Sequence, residues 1–390
     1  MGRILNYIEN SGKGVYHCYQ TKKFFLETTD YDILNYDDKP SSSVKASKFA
    51  ESDQTRVPSV LIKDGQLKRI RPIFAYFLDG SRHTYKVDDI SIGKRIFPFL
   101  AGQIVVGCCE RQDRDTFKPF RLCHDLVLAL PDEFDYDDEG ENYCRLYCEK
   151  INTEIKDLAF VKLSNLKFSK LLLYKTDRID SYSANSKDSY KNRAVSVIQT
   201  QMTNKEQELV AQLCTENRLD SSHYLIKDGS LEYNSGRNKS EEERLKYREN
   251  YRYVVGVSKS FDPELIPDFE GHKLSKTIAG LKPHERTKVY RYKSDFNGEE
   301  YAVWYLRLRQ DDFSETNFSD IVKCEMVILN EGDFIQTDLI NSISANLINE
   351  AYPVCYGNDT RWANHLYPVY LTETYCKSKY INSEIVLNLF

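Results

Sequence analysis

The chain has 390 residues, 41% hydrophobic and 13% aromatic, with 54 Lys and Arg against 59 Asp and Glu and a net charge of −5. That is enough apolar material for one large core or two, and it marks a soluble globular protein. No window approaches the ~18 uninterrupted apolar residues of a membrane helix. The amino terminus, Met1–Asn6, has neither a signal-peptide core nor the Ser or Thr of a myristoylation motif, so a cytoplasmic location is expected. Ten cysteines without paired Cys-x-x-Cys units argue against zinc and predict mostly buried thiols.

Residues 1–69 are polar and irregular, with Pro40–Ser43 and Ser52–Pro58 as loop signals, and are expected to cap the core. From Arg71 an apolar run, Ile73 to Leu78, closes on Asp79-Gly80-Ser81 and predicts a strand that delivers a carboxylate at its end. His83–Val87, Gly102–Glu110 and Leu126–Leu130 read as successive strands of the same sheet. Asp132–Glu141 is an acidic solvated loop, and without it the chain is nearly neutral. Lys162–Arg193 is net basic, and its Tyr174, Tyr182 and Tyr190 could stack on bases of a single strand or belong to a polar connector.

A helix fits Ser189–Glu216, where Val195, Ile198, Met202, Leu209, Val210 and Leu213 recur at helical spacing. Glu206 falls on that stripe and should face inward, toward either a metal or a basic partner. Glu208, about 200° away around the helix, is the alternative. A second apolar run, Tyr224 to Lys227, ends on Asp228-Gly229-Ser230, about 150 residues after the first. Asp-Gly is a common turn dipeptide, and Asp64-Gly65 reads as nothing more. Two copies after strand-like runs place two carboxylates where glycine permits close approach, the arrangement hard divalent cations need for in-line phosphodiester hydrolysis. Arg237–Arg252 predicts an exposed helix. Tyr253–Ser260 predicts a strand delivering Lys259, Tyr301–Leu308 one delivering Arg307, and a further strand spans Val322–Leu329. Either cation could neutralise phosphate or be a solvated strand end.

The order of these motifs resembles the NurA nuclease family, partner of the HerA translocase. The matching stretches are Phe77–Ser81, the helix with Glu206, Leu225–Leu231, Gly256–Ser260, Trp304–Leu308 and Tyr367–Leu371, which span most of residues 70–385. The resemblance implies an α/β fold with an RNase H-like core over residues 70–390: a mixed central sheet flanked by helices, with a helical insertion around 232–252. It implies Mn²⁺ or Mg²⁺ dependence, cleavage of single-stranded DNA and duplex ends, and a homodimer docked on a hexameric HerA-like ATPase. It also implies Asp79, Asp228 and Glu206 as metal ligands, Lys259 and Tyr367 as catalytic groups, and Arg307 as a substrate contact.

The sequence departs from the family in one place. The family carries a histidine eight residues after the motif tyrosine, and this chain has Tyr375 there. A phenol does not accept a proton near neutral pH; His365 could substitute from nearby, or Glu373 could add a ligand. Two other classes fit the same residues. One is a catalytically weak or inactive adaptor of a HerA-type complex. The other is a guide-free binding module related to the PIWI branch of the same superfamily, to which Gly256–Lys259 is a weak pointer.

Overall fold

The computed structural model describes residues 2–12, 14–26, 45–46, 49–55, 57–63, 67, 71–134, 140–164, 166–177, 189–233, 240–262, 266, 268–269, 272–294, 297–309, 317–352 and 364–390. Helix α1 (Arg3–Ser11) precedes four short strands, β1 (Tyr16–Cys18), β2 (Phe24–Phe25), β3 (Lys45–Ala46) and β4 (Ser59–Leu61). Three long strands follow, β5 (Phe74–Ile92), β6 (Arg95–Arg111) and β7 (Phe117–Pro131). Next come α2 (Gly140–Ile155), α3 (Ala159–Ser164), β8 (Phe168–Tyr174), α4 (Tyr190–Thr215), β9 (Tyr224–Asp228), α5 (Glu241–Asn250) and β10 (Val254–Ser258). The remainder holds β11 (Asp268–Phe269), β12 (His272–Lys273), α6 (Ser275–Ala279), β13 (Glu285–Thr287), β14 (Tyr290–Lys293), β15 (Glu300–Arg307) and β16 (Ile321–Val327). The last helices are α7 (Thr337–Glu350), α8 (Tyr367–Lys377) and α9 (Ser383–Leu387).

One mixed sheet organises these elements, in the order β4-β13-β15-β16-β10-β9-β5-β6-β7-β8. Strands β5, β6 and β7 form an antiparallel meander, β9 lies parallel to β5, and β10 lies parallel to β9. The apolar, unalternating sequences of β9 and β10 fit strands covered on both faces. Helix α4 covers one face: a Cβ on Gly102 would lie 2.8 Å from Ile198. Helix α8 covers the other, where a Cβ on Gly107 would lie 2.5 Å from Cys376 Sγ. Side chains alternate between faces along a strand, so positions 102 and 107 point to opposite sides.

The first Asp-Gly-Ser is not a turn. β5 runs straight through it for 19 residues and includes the segment expected as a separate strand at His83–Val87. The reason is pairing: Gly80 and Ser81 sit opposite Val106 and Val105, and the chain reverses only at Gly93, φ +61°, where Ile92 pairs with Arg95. The second triplet does turn, at Gly229 with φ +82°. The described parts of 1–69 are built into the sheet: β1 and β2 pair with β5, and β4 pairs with β13. In the expected insertion, α5 starts with a capping box between Ser240 and Glu243. Residues 135–139 of the acidic loop and 64–66 of the third Asp-Gly lie outside the described residues.

Candidate functional site

The pairing register brings the two triplets together. Leu78 pairs with Lys227, so the next step along the parallel strands sets Asp79 beside Asp228 on the same face. Asp228 in turn pairs with Val257, and β10 ends at Ser258, which puts Lys259 at the same end of the sheet. The residue opposite Asp79 on β6 is Gly107, the glycine against α8, so the Asp79 face is the α8 face. Cys376 and Thr372 of α8 hydrogen-bond the backbone carbonyls of Asp79 and Phe77, which locks the helix to β5.

Asp79 is 6% exposed, and its Oδ2 is buried without a hydrogen-bond partner. Burial and the neighbouring Asp228 push its carboxyl well above the usual range, against the opposing pull of Lys259. The Lys259 ammonium lies 2.9 Å from Asp228 Oδ2 and 3.3 Å from Glu373 Oε2, and the lysine is 3% exposed. Burial would deprotonate it, but Asp228, Glu373 and Asp79 outweigh burial and drive its pKa up. Glu373, on α8, also binds Lys377 at 2.6 Å. Burial pushes the Glu373 carboxyl up, and the two lysines more than reverse this and hold it at about 2.

Glu206 faces inward, as helical spacing predicts, and is 3% exposed. It lies on the other face of the sheet. A Cβ on Gly80 would meet Glu206 Oε1 at 2.3 Å, and Gly80, next to Asp79 along the strand, points away from it. Lys227 also points to that face and sits 3.4 Å from Glu206 Oε2. The same ammonium donates to the carbonyls of Asp228 at 2.7 Å and Ser230 at 3.1 Å, so Lys227 ties α4 to the Asp228 turn. Glu208 is exposed and paired with Lys205 at 2.8 Å.

The Asp228 turn has a second clamp. Ser230 Oγ and Leu231 N both donate to Glu325 Oε2 of β16, at 2.8 and 2.7 Å, while Lys323 sits 3.0 Å from Glu325 Oε1. Burial raises the Glu325 carboxyl, but Lys323 and the two donors from the turn overcome it and lower its pKa.

The remaining expected residues engage other groups. Arg307 ends β15, with its guanidinium donating to the carbonyls of Asn317, Ser319 and Ala279, so it holds a loop. Tyr367 is at the first turn of α8, about 9 Å along the helix axis from Glu373. It lines a cavity of about 550 Å³ with Arg111, Arg114, Phe117 and Tyr352. His365 is buried with its ring 5.7 Å from that of Tyr370, and the neighbouring Asn364 donates to the Lys259 carbonyl at 2.5 Å. Tyr375 packs over β6 near Gly107, with Lys379 over its ring at 4.9 Å, and burial raises its phenol pKa. Tyr174 is fully buried, its hydroxyl donating to Pro98 O at 2.7 Å, and cannot stack on a base; Tyr182 lies outside the described residues.

Lys227 and Glu325 were not legible as site residues. Each is a charge inside an apolar strand run, which was the available signal; its partners depend on a register the sequence does not reveal. Among the described residues, no three His, Cys, Asp or Glu side chains are grouped tightly enough to hold a metal ion, and the Lys259 ammonium sits between Asp228 and Glu373. The unpartnered Asp79 oxygen beside Asp228 is still an acceptor pair of the hard type that suits Mg²⁺ or Mn²⁺. Together these features define an α/β protein with a buried carboxylate and lysine cluster at one end of a mixed sheet. No protein-family model matches the chain, and no curated protein is significantly similar to it. Among the described residues no helix is long and apolar enough to cross a membrane.

Proposed function

We propose that this chain is a divalent-metal-dependent deoxyribonuclease that hydrolyses phosphodiesters of single strands and duplex ends. Its resemblance to NurA adds a homodimer working with a HerA-type hexameric ATPase. The observation that carries the reading is Asp79, a buried carboxylate with an unpartnered oxygen and a raised pKa, in register with Asp228. Such a group is costly unless a ligand uses it. The strand order β7-β6-β5-β9-β10, three antiparallel strands followed by two parallel ones, supports an RNase H-like core.

Asp79 and Asp228 would hold Mg²⁺ or Mn²⁺, which when bound polarises the phosphodiester and acidifies the attacking water. Lys259, at the same strand ends, offers positive charge to the phosphate. Lys227 and Glu325 fix the Asp228 turn from either side. Arg307 supports the loop at 317–319 that borders this end of the sheet. Tyr375, protonated near neutral pH, can orient a substrate but cannot serve as the base.

The test is cleavage of end-labelled single-stranded and blunt duplex DNA with Mn²⁺, Mg²⁺ or EDTA, with and without a HerA-type ATPase. The proposal expects metal-dependent cleavage that Asp79→Asn and Asp228→Asn each abolish. Parental rates in either variant would rule out the assignment. One observation favours a second reading, an inactive adaptor of the same ATPase: Lys259 already neutralises Asp228 and Glu373. Binding to the ATPase without cleavage under any condition would support that reading.

A further inference from the structure

We infer that the cavity between the β6–β7 hairpin and the first turn of α8 receives an unpaired base of single-stranded DNA, with the neighbouring phosphate held by Arg114. This rests on the nuclease reading above and adds where the strand lies.

The first observation is position. Gly107, opposite Asp79 on β6, faces α8, and so do the alternate residues Cys109 and Arg111. The cavity that Arg111 lines is therefore on the face of the sheet that carries Asp79. Four residues at ~3.4 Å each put Arg111 about 14 Å along β6 from the level of Asp79. That is about four nucleotide steps at the stacked rise of ~3.4 Å per strand, and fewer for a stretched one. Helix α8 covers the same interval, with Tyr367 at the cavity and Cys376 against Gly107. A strand laid along this helix reaches from the cavity to the Asp79 end.

The second observation is the lining, which suits a flat, uncharged, ring-bearing group with its charge outside. At about 550 Å³ the cavity has the size of a small-ligand site. Phe117 and Tyr367, both half-buried, form two walls with ring centroids 6.5 Å apart at 72°, and Tyr352, 53% exposed, adds a third ring. Arg111 is fixed in place: its Nε donates to Phe74 O at 2.8 Å, its Nη1 to the Arg114 carbonyl and its Nη2 to the buried Glu350. Its guanidinium lies 4.7 Å from the Phe117 ring centroid. Glu350 cancels the charge of Arg111, so this pair offers a phosphate nothing.

Arg114 differs, since it is exposed on the hairpin tip. That tip is held by Gln112 N donating to Thr116 O at 2.9 Å and by Asp113 accepting from the amides of Asp115 and Thr116 at 3.1 and 2.9 Å. Asp115 and Asn349 supply polar groups for the edge of a base. Bases stack on aromatic side chains whatever their sequence, while an arginine beside them takes the phosphate.

The test is binding of fluorescein-labelled oligothymidylate, and of a strand of equal length built from abasic deoxyribose units, to the full chain in EDTA at fixed salt, read by anisotropy. Phe117→Leu, Tyr367→Leu and Arg114→Ala are compared with the parent after melting curves verify that each is folded; Tyr367→Leu decides the matter if Phe117→Leu does not fold. The parent should prefer the base-bearing strand. Each Leu variant should lose about fivefold or more for that strand and little for the abasic one, the scale of one lost stacking ring. Arg114→Ala should weaken both strands alike, because a phosphate contact carries no base information. Leu variants that bind both strands as the parent does, or a parent that binds neither, would overturn the base pocket. If thymidine monophosphate alone binds as tightly as the whole strand, the cavity is a free-nucleotide site and the strand assignment is overturned. Cleavage with Mn²⁺, measured separately, keeps the two proposals apart. A parent that cleaves while the Leu variants bind unchanged leaves the nuclease reading standing without this pocket, and ring-dependent binding by a parent that never cleaves leaves the pocket standing without the nuclease.

Discussion

Asp79 shows how one side chain can be held in a state that folding alone disfavours. Its carboxyl is raised above its value in the unfolded chain, about 3.9 for an unperturbed Asp, so the folded protein binds this proton more tightly than the unfolded one. The stability it contributes is complete below that unfolded value and is lost as pH rises through the raised one. Asp79→Asn carries no such dependence. Its melting temperature should exceed the parent's at pH 8, with the gap closing as the pH falls toward 4. Scanning calorimetry across that range checks this, and a variant less stable than the parent at pH 8 would contradict it. Gly80, its neighbour, is constrained from the other side. A methyl group there would sit 2.3 Å from Glu206 Oε1, so Gly80→Ala should cost about 1–3 kcal/mol, the usual range for overpacking. In a Glu206→Ala background the obstacle is gone, and the cost in urea unfolding should shrink. Equal costs in both backgrounds would mean that Glu206 does not press on Gly80.

Between elements, the turn after β9 depends on β16. Glu325 receives both Ser230 and Leu231, and it is a buried carboxylate paired with Lys323. Glu325→Ala removes the acceptor of Ser230 and Leu231 and one partner of Lys323, and should destabilise by about 3 kcal/mol, near the low end for breaking a buried pair. Glu325→Gln, which keeps an amide oxygen for the turn, should lose less, as read from urea midpoints.

The elements themselves were partly legible from periodicity. The stripe through Ile198, Met202 and Leu209 gave a helix at Ser189–Glu216, and the structure has α4 at Tyr190–Thr215, with Glu206 turned inward. The apolar runs at 224–228, 253–260, 301–308 and 322–329 became β9, β10, β15 and β16 within a few residues. The first Asp-Gly-Ser misled because turn chemistry is local, whereas β5 is held extended by β6, a partner whose register no local signal reveals. The same limit hid which face Glu206 occupies: the helix period says inward, and only strand pairing says which side of the sheet inward is.

At the scale of the whole molecule, the amino-terminal segment is fastened to the far half of the sheet by charge. Glu51 is fully buried, and its carboxylate takes Arg286 Nη2 at 2.9 Å and the Val289 amide at 3.1 Å, with Lys288 at 3.5 Å. Glu51→Ala would leave two fully buried cations short of a partner and should cost about 3–5 kcal/mol. A thermal melt of that variant close to the parent's would show that this segment contributes little to the fold. β4 reaches as far, pairing its Ser59–Leu61 with Glu285–Thr287 of β13.

These long-range pairings have a consequence for synthesis. At roughly 5–20 residues per second, a ribosome needs on the order of 10–50 s to add the 235 residues separating Glu51 from Arg286. Until then Glu51 lacks its ion-pair partners and β4 the strand that pairs with it, and the start of β5 stays unpaired on one side until β9 emerges. Chains rich in such distant pairings fold slowly, so the nascent protein spends that interval with unpaired strand edges, the state in which a holding chaperone has most to protect.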